Sequence, residues 1–296
     1  MAASTPATVH LVDASPYIFR AHFSLPSSIK TPEGSPAAAS YGFTSFLLKL
    51  VADEKPTHLA VAFDRNLSSS FRNEVYPAYK TQRVPIPPEI EAQIDTCVEI
   101  ASALGMATFI DDRYEADDLI GTICRRLEKG GHSAVIVTSD KDLAQLVSER
   151  VTLFDFAKGL RLGPAEVREK FGVRPDQITD FLGLAGDTVD NIPGVKGIGA
   201  KSAADLLAHF GSLEKLYERL DELPLSSIRG AKSLHAKLTA QRDLALLSKS
   251  LATVAFDVPG VHAALRDLEY RGADPARVEP LFDRLGFKKI RERATG

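Results

Sequence analysis

The chain has 296 residues, 44% of them hydrophobic, and carries 36 bases against 39 acids for a formal net charge of −3. That size supports one large or two modest domains with real cores, and no segment approaches the ~20 apolar residues of a membrane-spanning helix. The only two cysteines, Cys97 and Cys124, fall on apolar helical stripes, which excludes a disulfide scaffold and fits buried thiols in a reducing compartment; residues 1–8 lack the basic and apolar regions of a signal peptide, so a soluble cytoplasmic protein is expected.

In chain order, residues 8–12 read as a buried strand that ends at Asp13. Residues 16–22 are expected to be helical, and 24–36 form a loop rich in Pro, Ser and Gly. A helix follows with Phe43, Phe46, Leu47 and Leu50 on one face. Residues 59–63 make a second buried strand, ending at Asp64.

The stretch 65–88 differs in character. Large aliphatics are sparse and prolines frequent, while Phe71, Arg72, Tyr76, Tyr79, Lys80 and Arg83 interleave aromatic and basic side chains. It is too long for a plain connector. Its composition suits either a solvated loop or a nucleic-acid gate, with rings to stack bases and cations to hold phosphates.

A helix over 89–104, with Ile90, Ile94, Val98 and Ala101 at helical spacing, leads to a short strand at 107–110. Tyr114-Glu115-Ala116-Asp117-Asp118 then opens a helix carrying Leu119, Ile120, Ile123 and Leu127. A strand at 133–137 ends in Thr138-Ser139-Asp140-Lys141-Asp142, and 151–156 reads as a fifth strand. Strands alternating with helices predict an α/β fold: a mostly parallel central sheet with helices on both faces.

Asp13, Asp64, the group Glu115, Asp117 and Asp118, and the pair Asp140 and Asp142 all follow the C-terminal ends of expected parallel strands. Ligands bind at those ends in open α/β sheets. Acids at a helix start are ordinary, since they complement the macrodipole, and each group alone would pass as an N-cap. Four strand ends aiming seven carboxylates at one edge are poorly explained that way. Oxygen donors without matching His or Cys favour Mg²⁺ or Mn²⁺ over zinc.

After residue 163 helices shorten and glycine turns become frequent. Gly186-Asp187-Thr188-Val189-Asp190-Asn191 adds two acids. Gly194, Lys196, Gly197, Ile198, Gly199, Lys201 and Ser202 then form a glycine turn that opens a helix with Ala203, Leu206, Leu207 and Phe210 inward. Bare backbone N–H groups at such a turn let a phosphate approach closely. The combination resembles a helix–hairpin–helix, a sequence-independent binder of the DNA backbone. Residues 226–250 carry five bases, among them Arg229 and Lys232, against Asp243 alone, which suits a duplex-gripping surface. Setting aside the nine clustered acids leaves 30 against 36 bases, so a basic surface can surround an acidic pit despite the net charge. A last helix is expected around 276–287, packed back on the body. No P-loop, nucleophile elbow or zinc spacing is present. Of the scattered histidines, His10 is expected in the core and His58, His132 and His235 at the surface.

These residues together resemble the 5′-nuclease (flap endonuclease) family, most closely the 5′→3′ exonuclease domain of bacterial DNA polymerase I and its free-standing relatives. The resemblance runs from Leu11-Val12-Asp13 to Leu285-Gly286-Phe287. Its most specific parts are Tyr-Glu-Ala-Asp-Asp at 114–118, Ser-Asp-Lys-Asp-Leu at 139–143 and the run from Gly186 to Gly199. Phe71-Arg72, Tyr79-Lys80 and Arg83 look like the family's arch, and residues 228–232 like the start of its duplex-binding helix. Ala14 stands where the family often has glycine, a mild departure.

The resemblance implies a PIN-like nuclease core over 1–163 that includes the 65–88 arch, a helical region with helix–hairpin–helix and three-turn-helix character over 164–260, and a C-terminal segment over 261–296. It implies two Mg²⁺ ions, with Mn²⁺ able to substitute. Asp13, Asp64, Glu115 and Asp117 would serve the first, with Asp118 bridging or behind them. Asp140, Asp142, Asp187 and Asp190 would serve the second. Lys80 and Arg83 would act at the scissile phosphate, and Arg72, Tyr76 and Tyr79 would steer the 5′ strand. Gly194, Lys196, Gly197, Ile198, Gly199, Lys201 and Ser202 would hold the duplex, with room for a K⁺ ion as in relatives, helped by Arg229 and Lys232. The expected activity is two-metal-ion hydrolysis of DNA as a 5′→3′ exonuclease and 5′-flap endonuclease in replication and repair, by a monomer acting on free 5′ ends, RNA–DNA primer junctions included. The alternatives are a non-catalytic branched-DNA binder and a Mg²⁺-dependent phosphohydrolase of small phosphate esters. The nine-acid set speaks against the first, and the crossover and basic run against the second.

Overall fold

The computed structural model describes residues 6–65 and 70–295. Positions 1–5 and 66–69, the latter within the expected arch, lie outside the described residues. The chain runs β1 (Thr8–Asp13), α1 (Ala14–Ser24), α2 (Ala38–Glu54), β2 (His58–Asp64), α3 (Phe71–Val75), α4 (Pro88–Ala103), β3 (Ala107–Asp111), α5 (Ala116–Lys129), β4 (Ser133–Val137), β5 (Val151–Asp155) and β6 (Leu160–Leu162). The helical part follows as α6 (Pro164–Phe171), α7 (Ile178–Ala185), α8 (Ala200–Phe210), α9 (Leu213–Glu218), α10 (Ala231–Ala240), α11 (Arg242–Ala252), α12 (Pro275–Leu285) and α13 (Lys288–Thr295).

The sheet order is β3-β2-β1-β4-β5-β6. β1 to β5 are parallel and β6 returns antiparallel along β5. β6 is only three residues long and was not among the expected strands. β1 and β2 are continuous apolar runs because both faces are covered. On one face Val9, Leu11, Ala60 and Ile136 pack with Leu119, Ile120 and Ile123 of α5, and this core continues into Leu206, Leu207 and Phe210 of α8. On the other face Val12, Val61, Phe63 and Val137 meet Phe43 and Leu47 of α2, Cys97 and Ile100 of α4, and Phe282 of α12. The α/β part and the helical part therefore share one hydrophobic core. Cys97 and Cys124 are both free and buried. His10 is buried as expected, but so is His132, expected at the surface: it is 7% exposed, and its Nδ1 accepts the N–H of Ala7 at 3.3 Å. Among the described residues no helix is long and apolar enough to cross a membrane.

The strand order reverses between β1 and β4. That switch point opens a crevice at the C-terminal ends of the strands, and Asp13 and Thr138 face each other across it, with Thr138 Oγ1 donating to Asp13 Oδ2 at 2.7 Å.

The arch segment is not a free loop. It contains α3, capped by Ser70, and Arg72 ties that helix to the body. Arg72, 3% exposed, uses all five of its N–H donors. Nη1 donates to Glu115 Oε2 at 2.6 Å and Asp118 Oδ2 at 2.9 Å; Nη2 donates to Asp118 Oδ1 at 2.8 Å and the Thr253 carbonyl at 2.9 Å; Nε donates to the Leu251 carbonyl at 2.9 Å. Arch, acid-bearing helix α5 and the end of α11 thus meet on one guanidinium. Removing one partner of a buried ion pair strands the other charge, at a cost of about 3–5 kcal/mol. Arg72→Ala is therefore expected to lower the unfolding free energy by about that amount in urea titrations, since Asp118 is fully buried; a loss under ~1 kcal/mol, the range of an exposed pair, would show that water replaces the contact.

Candidate active site

The acids reach the crevice because each terminates a strand or opens a helix there. Asp13 and Asp64 are the last residues of β1 and β2. Asp64 Oδ1 accepts the Ala116 N–H at 2.8 Å, at the start of α5, and its Oδ2 accepts from Ser15 Oγ at 2.5 Å. Asp140 follows β4: its N–H donates to Thr138 Oγ1 at 2.9 Å, and its Oδ1 accepts the Asp142 N–H at 2.8 Å. Asp187 and Asp190 arrive from the turn after α7, where Asp187 Oδ1 accepts the Val189 N–H at 2.6 Å.

Several of these carboxylates also press on one another electrostatically. Asp13 is pushed up to about 8 by burial and then by Asp64, with Asp140 adding to it. Burial, then Asp140 and Asp13, push Asp117 well above the carboxylate range. Asp140 is raised by burial, partly offset by the Asp142 N–H. Asp142 is pushed up to about 7 by burial and by Asp140. Buried acids in this condition fit a divalent cation as hard oxygen donors.

Three other acids are answered by the chain's own cations. Burial would raise Glu115, but Lys80 and Arg72 outweigh it and hold the carboxyl below its usual range. Lys80 Nζ bonds Glu115 Oε1 and lies 3.9 Å from Asp190 Oδ2; Arg83 Nη2 bonds Asp190 Oδ1. Lys141 Nζ donates to Asp187 Oδ2 at 2.8 Å and holds that carboxyl low against its burial. In this arrangement no three His, Cys, Asp or Glu side chains among the described residues are gathered closely enough to hold a metal ion. Lys80, Arg83 and Lys141 instead occupy oxygens of Glu115, Asp190 and Asp187.

Two expected roles need correction, and of the two places given to Asp118 the one behind the other acids fits the contacts: its oxygens accept from Arg72, from the Glu115 N–H at 3.1 Å and from the Ala255 N–H at 2.7 Å. Arg72 and Tyr79 are not poised to meet a DNA strand. Arg72 is the clamp described above, and Tyr79, 3% exposed, lies under the arch with its hydroxyl donating to Glu115 at 3.2 Å. Tyr76 is half-buried against the same core. These rings and this guanidinium fill the joint between arch and body, which composition alone could not distinguish from an open stacking platform.

The glycine turn is built for close approach. Gly194 has φ +60°, and a Cβ there would sit 2.3 Å from the Gly186 nitrogen. Ser248 Oγ accepts the Gly194 N–H at 2.9 Å, Gln241 Oε1 accepts the Lys196 N–H at 2.8 Å, and Lys237 Nζ donates to the Gly197 carbonyl at 2.9 Å. Ile198 is 4% exposed and anchors the turn in the core, so it offers DNA its backbone at most. Gly199 caps α8, Lys196 and Lys201 are exposed and Ser202 is half-buried. Lys201, Ser202 and Arg229 line an open concavity of about 680 Å³, and Lys232 is exposed nearby on α10. Lys249, counted in the basic run, is instead paired with Asp180 at 2.5 Å and Glu214 at 2.7 Å. Thr138, Ser15, Gln241 and Ser248 escaped sequence reasoning. Thr138 alone had a discernible signal, its place directly after a strand end.

Comparison with known proteins agrees with this geometry. The model of the 5′-3′ exonuclease N-terminal resolvase-like domain matches residues 8–172, and that of the 5′-3′ exonuclease C-terminal SAM fold matches residues 173–276. The chain is 41% identical over 287 residues to DNA polymerase I of Bacillus caldotenax, a match covering 96% of this chain and 32% of that polymerase, and 40% identical to the Bacillus subtilis enzyme over the same length. It thus spans about a third of the length of these relatives. The T5 5′-exonuclease with bound zinc superposes with a TM-score of 0.67 at 23% identity, covering 97% of this chain and 99% of that one. On two family models that together run from residue 8 to 276, the chain belongs to the 5′-3′ exonuclease family.

Proposed function

We propose that this chain is a structure-specific 5′ nuclease that hydrolyses phosphodiester bonds of DNA bearing a free 5′ end, flap, nick or gap, and RNA–DNA primer junctions among them. The observation that supports this most is the convergence of buried, mutually repelling carboxylates from separate strand ends at the switch point of the sheet, directly beside a phosphate-binding turn. The bacteriophage T5 flap endonuclease, crystallised as a pseudo-enzyme–product complex with DNA and metal ions, shares this fold at a TM-score of 0.65.

Two divalent ions, Mg²⁺ or Mn²⁺, would supply an activated water and stabilisation of the leaving oxygen. Asp13, Asp64, Asp117 and, once Lys80 releases it, Glu115 would hold one. Asp140, Asp142, Asp187 and Asp190 would hold the other once Lys141 and Arg83 withdraw. The chain itself offers no nucleophile. Lys80 brings its ammonium to the scissile phosphate and offsets charge developing there, and Arg83 lies beside it. Both line a pocket of about 500 Å³ with Phe19, Val84 and Ile86, large enough to admit the 5′ strand next to Asp64. Lys196, Lys201, Arg229 and the N–H groups at the N-terminus of α8 would grip duplex phosphates, which position the substrate without reading its sequence; a K⁺ ion at the turn would add to that grip.

A second reading, a non-catalytic branched-DNA binder, draws on the cations now engaging the acids. One variant separates the two. Asp140→Asn should abolish most cleavage of a 5′-flap duplex and leave the DNA dissociation constant within about twofold, a binding change of under ~0.5 kcal/mol; full turnover by the variant would sink the metal-ligand assignment. Lys80→Ala should slow single-turnover cleavage about 10²-fold, as loss of one transition-state donor does, and weaken binding far less; equal losses in rate and affinity would reduce Lys80 to a simple grip.

The repelling acids also set a pH dependence. Asp13 and Asp142 release protons near 8 and 7 in the folded protein and near 3.8 unfolded. Between those values the folded state binds more protons, so metal-free stability falls as pH rises. Melting in EDTA should therefore show Tm dropping from pH 5.5 to pH 8, and Mg²⁺ should raise Tm more at pH 8 than at pH 5.5. Equal increments at both would place the ions elsewhere.

A further inference from the structure

Lys80 is held in an unusual way. Its backbone φ is +59°, in the left-handed region, which is unfavourable for a residue with a Cβ. Such a conformation persists only when its surroundings impose it. Here the peptide units leading into Lys80 are each pinned. Asn191 Nδ2 donates to the Ala78 carbonyl at 2.6 Å, Asn73 Nδ2 donates to the Tyr79 carbonyl at 2.8 Å, and the Lys80 N–H donates to the Asp190 carbonyl at 3.0 Å. Gln82 Nε2 adds a bond to the Thr188 carbonyl.

Asn191 is itself at φ +56°. Glycine would take that conformation without strain, whereas asparagine tolerates it and brings a donor. The Asn191–Ala78 and Lys80–Asp190 backbone bonds use neither a carboxylate oxygen nor an ammonium. They remain available when the Lys80 and Arg83 heads leave Glu115 and Asp190. The turn that carries Asn191 is closed by the reciprocal Asp187 and Ile192 backbone bonds, at 2.9 and 2.8 Å, and two residues further on Gly194 is tied to Ser248. The same short segment therefore grips the arch at one end and becomes the phosphate-binding turn at the other.

We infer that Asn191 is a positioning residue for the nuclease reaction: its amide fixes the main chain before Lys80 and sets that lysine at a constant distance from the duplex-holding turn. The inference rests on the nuclease reading and on the role given there to Lys80. It adds a cause for where the cut falls. The scissile phosphate is measured from the duplex end because the lysine and the turn are two ends of one latch. Loss of the latch should therefore widen the distribution of cut positions as well as slow the reaction, and a residue that merely supports the fold would do neither selectively.

The test is Asn191→Gly, which keeps the left-handed backbone and removes only the amide. Lys80→Ala and the double variant complete a thermodynamic cycle. On a 5′-labelled flap duplex in Mg²⁺, Asn191→Gly should lower kcat about 3- to 10-fold, the equivalent of one hydrogen bond, with KM and Tm little changed and with cuts spread over neighbouring phosphates. In the Lys80→Ala background the same change should cost nothing more. Full activity and a single cut position for Asn191→Gly beside a slow Lys80→Ala would overturn the inference and leave the nuclease reading standing, as would equal losses in both backgrounds. Full activity of Lys80→Ala as well would overturn both the inference and the role given to Lys80.

Discussion

The joint around Arg72 organises this molecule. One guanidinium, its five donors all used, ties the arch to Glu115 and Asp118 at the start of α5 and to the carbonyls of Leu251 and Thr253 at the end of α11. Burying a charge is unfavourable unless it is paired and fully hydrogen-bonded, and here both partners satisfy that condition. Asp118 answers Arg72 with both oxygens and caps two backbone N–H groups besides. The acid-bearing helix, the crossover that carries Lys80 and the end of α11 in the helical region are thereby locked to one frame.

That frame holds the site in electrostatic tension. Asp13 is buried, Asp117, Asp140 and Asp142 are half-buried, and all four are pushed upward by loss of solvation and by neighbouring carboxylates. At the rim, Lys80, Arg83 and Lys141 engage Glu115, Asp190 and Asp187. Lys141 is half-exposed, whereas Lys80 lies mostly covered at the edge of the arch. A divalent cation held by these acids would relieve the inner repulsion and compete for the rim carboxylates, which would free Lys80, Arg83 and Lys141 for a phosphate.

Much of this was legible in the sequence, for physical reasons. Strands buried on both faces read as uninterrupted apolar runs, so the ends of β1, β2 and β4, and with them Asp13, Asp64 and Asp140, could be placed without a structure. The helix face of α5 was equally plain from Leu119, Ile120, Ile123 and Leu127. What eluded reading is held by polar contacts between distant segments. Arg72 and Tyr79 lie in a stretch poor in aliphatics, which resembles an open loop until its partners Asp118 and Glu115 are brought to it. Asp118 is three residues past an N-terminal cap and serves that cap rather than a metal. β6 is too short to show a period, and His132 is buried by a tertiary contact with Ala7. Gln241 and Ser248 carry no local pattern at all, since their work is to satisfy backbone groups supplied by other parts of the chain.

The most direct test uses a 5′-labelled flap duplex and its isolated single-stranded arm, each incubated with Mg²⁺ and with EDTA, and the products sized on a denaturing gel. The account predicts Mg²⁺-dependent cuts near the flap junction, with the lone arm largely spared and nothing cut in EDTA. Binding of the flap without cleavage in Mg²⁺, or cleavage that persists in EDTA, would contradict it.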